Sequence, residues 1–75
     1  MCPLTLCHSG EKVKVEKIAG GREACCRLKA MGLFPGEEIE IISSHRGPVV
    51  LNVKGFRLAI GCGMAQKILV SPLQG

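Results

Sequence analysis

The chain has 75 residues and contains no tryptophan, no tyrosine and only two phenylalanines. That shortage weighs against two common uses of a small domain. Proline-rich peptides are gripped in grooves lined by aromatic side chains. Single-stranded nucleic acids stack their bases on aromatic platforms. Two phenylalanines furnish neither surface.

Other absences narrow the reading further. No apolar run approaches the roughly 18 residues that a membrane-spanning helix needs, so direct membrane insertion is not expected. The opening segment MCPLTLCHSGEK lacks a positive region followed by a long apolar one, so it does not read as a secretory signal and the cytoplasm is expected. There is no G-x-x-x-x-G-K-[ST] phosphate loop, no G-x-G-x-x-G fingerprint and no serine–histidine–acid pattern. An enzyme is therefore not expected, and no catalytic residue or cofactor is assigned. Low-complexity tracts and internal repeats are absent too.

Five cysteines are present, an odd number without familiar spacing, so a disulfide framework is not expected. With His8 and His45 they are numerous enough to hold a metal, but their arrangement argues otherwise. There is no C-x-x-C knuckle. Cys25 and Cys26 are adjacent in a helical run, where neighbours point about 100° apart. Cys7 and His8 are adjacent in an extended segment and point to opposite faces. No metal ligand is assigned, and any bound transition metal is expected to be adventitious.

What the sequence does contain is characteristic of a folded β domain. Hydrophobic residues make up 47%, many of them Val, Ile and Leu, and ten glycines punctuate them. That mixture favours short strands and tight turns. The length allows one domain, residues 1–75, with a thin core and a stability of roughly 4–11 kcal/mol. The net charge is +4, but the ten Lys and Arg are scattered, as on an ordinary solvated surface.

Along the chain, Val13-Lys14-Val15-Glu16 alternates and continues to Ile18, predicting a half-buried strand. Leu4 and Leu6, two apart, predict an extended lead-in against the same core. Arg22 to Met31 reads helical, with Ala24, Cys25, Leu28 and Met31 inward and Arg22, Cys26 and Lys29 outward. Glu23 and Arg27 are four apart, in the order that favours a helical ion pair. Gly32 fits the left-handed position after the helix, with Leu33 folding back on Leu28. Pro35-Gly36 fits the centre of a type II turn. Strands follow at Glu38–Ile42, Val49–Val53, Phe56–Ile60 and Lys67–Val70. Breaks are expected at Arg46-Gly47-Pro48, at Lys54-Gly55 and at Gly61-Cys62-Gly63, with one helical turn over 64–66. The expected fold is mainly β. It is a small barrel of five to six short strands, with one short helix between the first strand and the rest. Closing the sheet on itself would remove its edges.

From Leu4 to about Val70 the chain resembles the FeoA family. The resemblance is carried by "RLKAMGLFPGEEIEI" at Arg27, Leu28, Gly32, Leu33, Pro35, Gly36, Ile39 and Ile41. It continues through "GPVVLNVKGFRLAI" and "AQKILV". The segment Gly61-Cys62-Gly63-Met64 departs from the family pattern, which usually carries charged residues there. The resemblance implies an SH3-like barrel and a small cytoplasmic accessory of bacterial ferrous iron uptake. It also implies a partner, the FeoB-like membrane permease with a GTP-binding domain. The same barrel occurs as the C-terminal domain of iron-dependent repressors of the diphtheria-toxin-repressor type, so a metal-responsive regulatory domain is the alternative implied by resemblance. A nucleic-acid-binding small barrel is the other alternative.

Within this reading, Leu33, Phe34 and Pro35 are the expected partner-binding residues, because the turn after the helix places apolar side chains at the surface. The other reading of Phe34 is a plug at the barrel end. Cys26, outward among Arg22, Arg27 and Lys29, is the expected exposed thiol, and positive neighbours favour its thiolate. Glu37, Glu38 and Glu40 read as a solvated acidic edge.

Overall fold

Alternating apolar residues build the sheet. Val13 and Val15 on one strand, Ile39 and Ile41 on the next, and Val49, Leu51 and Val53 on a third are all buried, while their sequence neighbours are not. The computed structural model describes residues 1–44 and 47–73. The strands are β1 (Cys2–Pro3), β2 (Lys12–Ile18), β3 (Glu38–Ser43), β4 (Val49–Val53), β5 (Phe56–Ile60) and β6 (Ile68–Pro72). The helices are α1 (Arg22–Ala30) and the single turn α2 (Cys62–Ala65), and Leu4–Leu6 forms a 3-10 turn. All pairings are antiparallel, in the order β1-β6-β2-β3-β4-β5. The expected break at Arg46-Gly47-Pro48 lies partly outside the described residues, as does His45.

A bulge reconciles the pattern of β2 with its burial. Val15 pairs with Val70 and Lys17 with Leu69, so Glu16 is an extra residue in the ladder. The insertion shifts the phase by one and returns Ile18, three residues after Val15, to the core. A similar shift between Ile41 and Ser43 bends β3.

Two expectations are corrected here. Leu4–Leu6 is a 3-10 turn rather than an extended segment, closed by the Cys7 N–H donating to the Leu4 carbonyl at 3.1 Å. At three residues per turn, positions three apart share a face. Leu4 and Cys7 therefore enter the core, and Leu6 points outward at 66% exposure. The sheet also does not close its ladder completely. β1 and β5 are its two ends and do not pair with each other.

The core is entirely aliphatic apart from Cys7, with no buried polar side chain among the described residues. Helix α1 joins it through Ala24 and Leu28, with Cys25 packed at its margin. Met31 is the C-cap residue with φ −90° and ψ 0°, so it leaves the helical phase and is 39% exposed. Glu23 and Arg27 do not pair. The ion pair among the described residues is Lys54–Glu37 at 3.5 Å.

Candidate functional site

The helix stop is a Schellman cap. The Gly32 N–H donates to the Lys29 carbonyl at 3.0 Å and the Leu33 N–H to the Leu28 carbonyl at 2.9 Å. These are the two bonds that satisfy carbonyls left unpaired at a helix end. Gly32 sits at φ +92°, where a side chain would be strained. Leu28 and Leu33, the C3 and C″ residues whose apolar contact accompanies such caps, both lie fully within the core.

The chain turns again at once. The Glu37 N–H donates to the Phe34 carbonyl at 3.0 Å around Pro35 and Gly36, with Gly36 at φ +97°. This is the type II turn that the Pro-Gly pair dictates. Two further bonds pin it to β2, from the Gly36 N–H to the Val15 carbonyl at 2.6 Å and from the Val15 N–H to the Glu37 carbonyl at 2.8 Å. The backbone from Met31 to Glu37 is thus fixed at both ends.

What this frame displays is Phe34 and Pro35, both exposed, with Phe34 at 46%. Phe34 is therefore not a buried plug. Leu33, expected on the same face, has no exposed surface. As the C″ residue its side chain is committed to the core. The second aromatic, Phe56, is more exposed still, at 74%. The only sequence signal for its exposure is that it opens β5 directly after a tight turn. Each phenylalanine lies within three residues of one partner of the Glu37–Lys54 pair, which joins the Phe34 turn to the β4–β5 turn.

Polar features nearby read differently. A shallow depression of about 210 Å³ is lined by Lys12, Glu38, Glu40, Asn52 and Lys54, among others. Its lysines offset its carboxylates, which makes it a mixed-charge surface. Among the described residues no three His, Cys, Asp or Glu side chains come together as metal ligands.

Cys2 and Cys7 lie beside each other, and the other three cysteines occupy separate places. Cys26 is exposed, as its helical phase requires, and Cys62 is a second exposed thiol that the sequence reading did not single out. Cys62 donates its S–H to the Gly47 carbonyl at 3.0 Å. Cys25 is half-buried, its thiol directed at the Ile18 carbonyl. Burial pushes the Cys7 thiol up to about 11, with Cys2 and Glu11 nearby adding to the shift. Alkylation of the native protein at pH 8 is expected to modify Cys26 and Cys62 first and Cys7 last. Mass-resolved labelling checks this order, and Cys25 reacting before Cys26 would refute the helical phase.

No helix among the described residues is long and apolar enough to cross a membrane. The FeoA domain model matches residues 2–72, nearly the whole chain. A Methanocaldococcus jannaschii protein named for Fe(2+) transport, transport protein A, is 43% identical over 70 residues, which span 93% of this chain and 85% of that one. A crystal structure of an iron uptake regulatory protein (FeoA) superposes with a TM-score of 0.89 at 40% identity, covering 96% of each chain. An NMR structure of a FeoA-like protein from Clostridium acetobutylicum superposes with a TM-score of 0.86 at 28% identity, covering 99% of this chain and 88% of that one.

Proposed function

Because the chain belongs to the FeoA family, non-enzymatic accessory proteins of ferrous iron transport, we propose that it docks on a FeoB-like membrane GTPase permease. Docking takes place on the cytoplasmic side of that permease, through the turn that displays Phe34 and Pro35. One observation carries the reading. The chain has only two aromatic residues, and both are exposed while the core is filled by aliphatic side chains.

Aromatic side chains at a surface are enriched among the residues that anchor protein interfaces. The rigid backbone beneath Phe34 lowers the ordering cost of binding, because the turn is already held by bonds to α1 and β2. Nothing comparable supports nucleic-acid binding, since the positive charges are dispersed and bases have no stacking platform.

Titration of a purified FeoB-type permease in detergent with the native chain tests the proposal. Saturable binding that changes little between low and high salt is expected for an apolar contact. Salt-sensitive binding to RNA or DNA with none to the permease would replace this reading with the nucleic-acid one.

A further inference from the structure

The two ends of the sheet are managed differently. β1 is two residues long and contains Pro3, both features that blunt an edge against further pairing. β5 has five residues, no proline, no lysine and an unbroken register against β4. Among the described residues it pairs with no other strand. Its outer edge is therefore an open template.

The phase of that edge follows from the turn before it. Lys54 and Gly55 form a two-residue loop with φ values of +52° and +84°, as in a type I′ hairpin. Val53 and Phe56 flank the loop and exchange hydrogen bonds, so Leu51–Leu58 and Val49–Ile60 do the same. Arg57 and Ala59 occupy the alternate positions, where N–H and C=O point away from β4. Four backbone groups thus face outward.

We infer that the free edge of β5 pairs antiparallel with β5 of a second copy of this chain, with Arg57 opposite Ala59 of the partner. The two-fold axis passes beside Leu58. This register engages all four outward groups of each strand. Placing Arg57 opposite Arg57 would oppose like charges and leave Ala59 facing the turn residue Gly55. Placing Ala59 opposite Ala59 would set Arg57 against Gly61, whose carbonyl already accepts from the Met64 and Ala65 N–H groups. In the inferred register the large Arg57 meets a small neutral residue, and Phe56 lies across from Ile60 of the partner.

One short strand per chain makes a small interface, below the roughly 1,200 Å² of stable complexes, so the dimer is weak and concentration-dependent. Each copy carries a net charge of +4. Raising the ionic strength screens that repulsion and strengthens pairing.

Sedimentation of the full chain from about 10 μM to about 1 mM covers the range in which so small an interface associates. The apparent mass is expected to climb from one chain toward two, and to climb further at high salt. Hydrogen exchange at Arg57 and Ala59 is expected to slow as concentration rises, while that of Phe56, Leu58 and Ile60 stays constant. Ala59→Pro removes an N–H that β4 does not use, and it is expected to abolish association with the melting curve kept. A single-chain mass at about 1 mM, exchange at Arg57 and Ala59 independent of concentration, or a folded Ala59→Pro chain that still pairs would overturn the inference. The exchange measurement uses the unmodified chain, so it decides the matter even if the variant does not fold.

Discussion

Replacing Leu33 by alanine is expected to lower the stability of the domain by about 3–4 kcal/mol, within the range seen when buried leucines are truncated. Leu33 has no exposed surface and lies in the same core cluster as Leu28. It is also held by its own N–H bond to the Leu28 carbonyl, which fixes the backbone beneath the cavity and limits collapse. A domain of this size holds only about 4–11 kcal/mol in total, so the loss is a large fraction of it. Chemical denaturation checks the value. An unchanged midpoint would mean that the cap residue is not part of the core.

The second large effect is expected at Gly32. Gly32→Val puts a β-branched side chain at φ +92°, at a cost of about 2–3 kcal/mol. The cause is backbone strain, because an added Cβ would meet nothing within 4 Å. Gly32→Ala is therefore expected to cost less, about 1–2 kcal/mol, the ordinary penalty of the left-handed region. A melting temperature lowered by roughly 10–20 °C for the valine variant is the expected readout. Thermal melts equal to the parent would contradict the cap assignment.

These positions were legible because a backbone demand writes itself into residue type. Only glycine suits the left-handed residues at 32 and 36, and proline sets φ at 35, so the helix stop and the turn could be read directly. The alternation of β4 and the helical phase that separates Cys25 from Cys26 were legible for a related reason, since burial follows local period. The features that escaped depend on what lies opposite. The bulge at Glu16 exists because β6 pairs Val70 with Val15 and Leu69 with Lys17, a register no local segment encodes. Leu6 turns outward because the lead-in coils into a 3-10 turn, although its spacing from Leu4 fits a strand equally well. Phe56 has the inward phase of β5, yet it lies beyond the reach of the core at the start of an end strand.

The helix stop thus divides two adjacent residues between two tasks. Leu33 is spent on the core, and Phe34 is left at the surface on a backbone held by turn and cap bonds and by two bonds to β2. Docking through Phe34 predicts that stability and partner binding respond to different members of this pair.

Parallel titration of the FeoB-type permease with native chain and with Phe34→Ala tests this most directly, each chain being melted in the same buffer. The account predicts that Phe34→Ala keeps the fold, with less than about 1 kcal/mol lost, as for partly exposed positions. It also predicts weaker binding by about 30-fold, the loss typical of an aromatic anchor. A folded Phe34→Ala chain that binds the permease as tightly as the native one would contradict it.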